Sequence, residues 1–109
     1  MLKGERVIRD VATTEGVRTI RVKVYYDLGG PNYFSGGTKE RGYWLSVTPE
    51  ERTKGMVVQT AFSGVCELLE PASRYSAKRL SEINPGEDRI KKLLDYVLAK
   101  NKLAIKEAH

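Results

Sequence analysis

A chain of 109 residues, 40% apolar and 30% charged, fits one globular domain with a modest core and is too apolar for a disordered segment. Its single cysteine, Cys66, excludes an internal disulfide, and its only histidine, His109, is the last residue, which argues against a structural zinc site. The net charge of +5 favours polyanionic partners without naming one.

No apolar run reaches the ~18 residues of a membrane span, and Met1-Leu2-Lys3-Gly4-Glu5-Arg6 lacks the apolar core of a signal peptide. A soluble intracellular protein is therefore expected, with no membrane partner. The first predicted strand is Arg6 to Ala12, which alternates weakly and runs into Thr13-Thr14-Glu15-Gly16, a turn with glycine at its positive-φ position. Val17 to Tyr26 is the clearest strand. Ile20, Val22, Val24 and Tyr26 share one face, and Thr19, Arg21, Lys23 and Tyr25 the other, the period of a half-buried antiparallel strand.

The stretch from Tyr25 to Pro49 concentrates six of the nine aromatic side chains and five of the ten glycines. Such a mixture builds a shaped loop between two strands. Gly42 to Thr48 is the third predicted strand, ended by Pro49, and Met56 to Phe62 is the fourth. Helices are expected beyond: Val65 to Leu69 opens one, and Pro71 either restarts it, giving a helix to Ile83, or kinks it. Asn84-Pro85-Gly86-Glu87 reads as an N-cap with a capping box. The last helix aligns Ile90, Leu93, Leu94, Val97 and Leu98, and ends at Asn101.

The expected fold is one α+β domain over residues 1–109: a four-stranded antiparallel meander over about 6–62, then two or three helices over about 64–101 packed on one face, and a flexible tail, 102–109. That leaves the second face of the sheet open.

Catalytic patterns are sparse. Cys66 has no histidine near it and, beside Val65, Leu68 and Leu69, reads as a small apolar filler. Asp27, Glu40, Glu50 and Glu51 read as solvated charges at strand ends, although Asp27, Glu40 or Glu50 with a metal is a third functional reading. Gly36-Gly37-Thr38-Lys39 lacks the order of a phosphate-binding P-loop. No cofactor is implied. Acids are interspersed among the basic residues of the expected helices and tail, Arg74, Lys78, Arg79, Lys91, Lys92, Lys100, Lys102 and Lys106, so most of these read as a solvated face.

Two features remain as a candidate ligand site. Arg21, Lys23, Tyr25 and Trp44 on the open face combine rings with cations, the recipe for stacking bases while neutralising phosphates. In the glycine loop, Asn32, Tyr33 and Phe34 offer a stacking edge, and Lys39 and Arg41 supplement an anion-binding nest. The same open face serves equally for a homodimer or a host-protein contact, and a purely structural role stays open for both features.

The run Val22-Lys23-Val24-Tyr25-Tyr26-Asp27-Leu28-Gly29-Gly30, then Asn32-Tyr33-Phe34, then Arg41-Gly42-Tyr43-Trp44-Leu45-Ser46-Val47-Thr48-Pro49 resembles a family of small uncharacterised proteins of phages and mobile elements of gut bacteria. The similarity extends through Thr60-Ala61-Phe62-Ser63-Gly64. The resemblance implies a non-enzymatic accessory role in a bacterial cytoplasm, in DNA handling or interference with host defence. The leading expectation is binding of nucleic acid or a nucleotide; the alternative is a protein-interaction module.

Overall fold

The computed structural model describes residues 2–13, 19–31, 37–53, 56–58, 64–75 and 78–101. The expected turn after Thr13, the loop residues Asn32, Tyr33 and Phe34, the end of the expected fourth strand and the tail lie outside them. In chain order the strands are β1 (Leu2–Ala12), β2 (Thr19–Asp27), β3 (Gly30–Pro31), β4 (Thr38–Lys39), β5 (Gly42–Thr53), β6 (Met56–Val58) and β7 (Val65–Pro71). A 3-10 turn, Leu80–Glu82, and an α-helix, α1 (Glu87–Lys100), follow.

The body of the structure is an antiparallel four-stranded sheet ordered β1-β2-β5-β7, with the short β6 pairing the far end of β5 and β3-β4 forming a separate two-stranded ribbon. The α+β class and a four-stranded antiparallel sheet are as the sequence predicts, but the fourth strand is β7; of the expected fourth strand, Met56 to Phe62, the described part is the short β6. The period of two along β2 explains its central place. Ile20, Val22, Val24 and Tyr26 are buried on the face they share with Tyr43, Leu45 and Val47 of β5. Ile90, Leu94, Val97 and Leu98 of α1 close over this face, joined by Ile83. The helix spacing i, i+4, i+7, i+8 makes that contact continuous. Arg6 ties β1 to the same layer by donating to the carbonyls of Ser81 and Ile83, and Arg9 pairs with Glu87 at 3.2 Å.

Four expectations need correction. Val65 to Leu69 is not helical but forms β7, which pairs β5 from Val47↔Val65 to Gly42↔Pro71. No helix spans Pro71 to Ile83; the described part of that segment is irregular apart from the 3-10 turn, so α1 is the only α-helix among the described residues rather than one of two or three. Pro49 does not end the third strand, because β7 pairing stops at Val47 while β2 continues alongside to Glu50. A proline is accommodated in a strand when its nitrogen faces away from the ladder. The N-cap of α1 is Gly86, at φ +84°, and the Asn84 side chain instead accepts the Gly86 N–H at 3.0 Å. The end of the helix is as expected: Asn101 caps it, its Nδ2 donating to the Val97 carbonyl at 2.9 Å.

Among the described glycines, Gly42 has the least room for a side chain. At Gly42, with φ +155°, a Cβ would lie 2.4 Å from the Glu70 carbonyl oxygen and 3.0 Å from Pro71 Cα. Both are backbone atoms, and the β5–β7 register shifts just beyond, between Tyr43 and Trp44. Gly42→Ala should therefore destabilise by more than about 1 kcal/mol, and Leu45→Ala, which empties a fully buried position, by about 3 kcal/mol. Urea unfolding curves measure both. A wild-type midpoint for Gly42→Ala would mean that β7 yields at no cost.

Candidate functional site

Helix α1 covers the face opposite Arg21, Lys23, Tyr25 and Trp44, so the face carrying these four residues lies away from the helix. Its charges, however, are matched within the chain. Arg21 Nε lies 3.5 Å from Asp10 and 3.4 Å from Glu50, and Lys23 Nζ bonds Glu5 at 3.1 Å. Cross-strand register produces this arrangement: Asp10 sits opposite Arg21, and Glu5 is two residues before Val7, the partner of Lys23. Opposite charges on neighbouring strands stabilise a sheet, and each pair removes an attraction for external phosphate.

Lys39 completes the pattern. Carried on β4, it folds back over the sheet. Its Nζ pairs with Asp27 at 3.2 Å, donates to the Tyr25 hydroxyl at 2.6 Å and sits 4.5 Å from the centre of the Trp44 ring. Trp44 Nε1 donates to the Glu40 carbonyl at 3.0 Å, which holds the ring in place beneath the cation. Tyr25 is only 4% exposed. Burial, then the neighbouring Cys66 thiol and Asp27 carboxylate, push its phenol well above the usual value, so it stays protonated. Burial opposes the Asp27 charge, but the Gly29 N–H and the Lys39 ammonium outweigh it and hold the carboxyl below its ordinary pKa. Lys39, Tyr25 and Trp44 thus form one cluster. Arg41 lies in the turn before β5, its carbonyl accepting the Ala72 N–H at 3.2 Å. Cys66, expected as a buried helical filler, is exposed on β7; an edge strand leaves its outward side chains uncovered.

A cleft at the other face of the sheet was not anticipated. Tyr26 of β2 and Tyr43 of β5 are cross-strand partners whose rings meet edge to face, 5.0 Å between centres. Their hydroxyls donate to the carbonyls of Ser73, at 2.7 Å, and Lys78, at 2.6 Å. The two rings and Leu80 line a cleft of about 240 Å³ together with four cations: Lys3, Arg74, Lys78 and Arg79. Glu70 bonds Lys78 at 2.6 Å and raises its pKa, keeping it charged. Glu82 accepts the Arg79 backbone N–H at 2.7 Å. Among the described residues, no ion pair engages Lys3, Arg74 or Arg79. Beside Arg74 stands Tyr75, 83% exposed on a turn.

The sequence did carry a signal for this cleft. Residues 71–81 hold Arg74, Tyr75, Lys78 and Arg79 and no acidic side chain. Lys3 is legible only from the fold, because β1 brings it alongside from far away in the chain. Among the described residues no group of three or more potential metal-ligating His, Cys, Asp or Glu side chains occurs, and no helix is long and apolar enough to cross a membrane.

No protein-family model, no curated protein and no solved structure matches the chain. The chemistry of the cleft rests on its own residues.

The Lys39 cluster has a pH signature. Because the folded pKa of Asp27 is lowered, its contribution to stability is complete above about pH 4, the unfolded value, and is lost as pH falls through the folded value. Asp27→Asn should cost about 2 kcal/mol at pH 7, and the gap to wild type should close in acid. Urea unfolding followed by the fluorescence of Trp44, the only tryptophan, measures it. A gap that persists unchanged at the acid limit would assign the effect to something other than the Asp27 charge.

Proposed function

We propose that this chain is a non-enzymatic accessory protein of a phage or mobile element that binds nucleic acid or a nucleotide, with the phosphate taken by the Tyr26–Tyr43 cleft. The observation that carries this reading is the juxtaposition of four cations in one cleft with an exposed ring, Tyr75, on the adjoining turn. Arginine forks and lysine ammonium groups recognise phosphate oxygens. An exposed ring beside them gives a base a π-face to stack on. The open sheet face provides rings as well, but its three cations, Arg21, Lys23 and Lys39, face four carboxylates: Glu5, Asp10, Asp27 and Glu50. Its field favours no polyanion.

Association with a labelled single-stranded oligonucleotide, followed by fluorescence anisotropy, should weaken steeply with salt as phosphate-bound counterions are released. Arg74→Ala and Arg79→Ala should each weaken binding by about tenfold, the worth of a charge-assisted hydrogen bond. Tyr75→Ala should cost about 1–3 kcal/mol, the value of one stacked base. The double variant Arg21→Ala/Lys23→Ala should stay within roughly twofold of wild type, since those cations are matched and remote charges are screened. The opposite ranking would move the site back to the sheet face. Absence of binding, with a concentration-dependent mass in light scattering, would favour the interaction module: a homodimer or an inhibitor of a host protein.

A further inference from the structure

Resting on that reading, we infer that the cleft selects a phosphomonoester, the terminal phosphate of a single strand or of a mononucleotide, over the internal phosphodiesters of a nucleic acid chain.

Size gives the first argument. A cleft of about 240 Å³ is smaller than the roughly 300–1,000 Å³ of sites that enclose a whole drug-sized ligand. It takes a head group and leaves the remainder outside. Charge gives the second. Four cations line the cleft; Glu70 offsets Lys78, while Glu82 is bonded to the Arg79 backbone amide. Lys3, Arg74 and Arg79 remain, three positive charges. An internal phosphodiester carries a single negative charge and two free oxygens, whereas a monoester carries about −1.5 to −2 and three strong acceptor oxygens near neutral pH. The monoester comes closer to the residual charge and offers one acceptor oxygen to each of the two guanidinium groups and the ammonium.

The walls supply the third argument. Tyr26 and Tyr43 are buried, and both hydroxyls are already committed to backbone carbonyls. The rings therefore form a floor that offers no hydrogen bond to a ligand, whose oxygens are left to the exposed cations above it. Lys3 approaches from β1 while Arg74 and Arg79 approach from the connection to α1. Three donors arriving from two directions suit a terminal group open on three sides. A mid-chain phosphate, esterified on both sides, presents two.

The test compares one single-stranded oligonucleotide in three forms, 5′-phosphorylated, 3′-phosphorylated and hydroxyl-ended, each labelled away from the tested end and measured by anisotropy with the full chain. One phosphorylated form should bind about tenfold tighter or more than the hydroxyl-ended form. Arg79→Ala and, as a second variant on a different element, Lys3→Ala should each shrink that ratio towards one. Lys92→Ala, exposed on α1, should leave it unchanged. Competition by a 5′-mononucleotide as effective as the phosphorylated strand would assign the site to free nucleotides; weak competition would assign it to strand ends. Equal binding of all three forms overturns the monoester inference while leaving nucleic-acid binding intact. Binding of none overturns both.

Discussion

Two phenolic hydroxyl groups hold the cleft-forming segment of this molecule in place. Tyr26 and Tyr43 are buried side by side at one end of the central strand pair, and a buried phenol needs a hydrogen-bond partner. The partners are carbonyls of the segment between β7 and the 3-10 turn, Ser73 and Lys78. That segment carries Arg74, Tyr75, Lys78 and Arg79, and among the described residues it contributes no regular element before Leu80. Its backbone is thus anchored to the sheet at two points, by bonds that arise from β2 and β5. The rings that pack the core and the rings that frame the cleft are the same two rings.

This arrangement explains why the sheet was legible in the sequence and the segment after it was not. Strand β2 alternates in pattern and in burial from Thr19 to Val24, and its apolar half is the core; Tyr25 and Asp27, on the opposite face, are buried too. The face of α1 was legible for the same reason, since Ile90, Leu94, Val97 and Leu98 recur at the helical period. Val65, Leu68 and Leu69 also fit that period, and Glu67 and Glu70 are good helix formers, yet the segment is β7. Pairing with β5 outweighed a propensity of a few tenths of a kcal/mol per residue. Beyond Pro71, helix formers such as Ala72, Lys78 and Leu80 again suggested a helix. There the carbonyls of Ser73 and Lys78 accept tyrosine protons, and tertiary contact fixes the backbone. Neither competition is visible in a local window.

The charge distribution teaches a related lesson. Arg21 and Lys23 on a strand face beside Tyr25 look like a phosphate-tracking surface when β2 is read alone. Register changes their meaning, because β1 and β5 bring Asp10, Glu50 and Glu5 within 3.5 Å of those cations. Lys39 is drawn in by Asp27 and by the Trp44 ring. A cation in a strand is neutralised or left available by the residue opposite it on the next strand, which sequence order does not reveal. Arg74 and Arg79 lie on a connection flanked by carboxylates only at its two ends, Glu70 and Glu82, and these are committed to Lys78 and to a backbone amide.

A binding segment placed on an irregular connection normally trades precision for adaptability, because loops are more mobile than the elements they join. Here the trade is limited by geometry. With Ser73 and Lys78 tethered to adjacent rings 5.0 Å apart, Arg74 and Arg79 each sit one residue from a fixed carbonyl. Their guanidinium groups retain side-chain freedom while their Cα positions do not. Such a division suits recognition of a small anion, since the floor is tethered at two points and the donors above it can adjust to a ligand's oxygens. The cost of ordering two long side chains on binding remains, about 0.5–1.5 kcal/mol each, and a doubly charged head group offsets that cost more readily than a singly charged one. The tethered tyrosine floor and the proposed preference for the more highly charged phosphate thus follow from one construction.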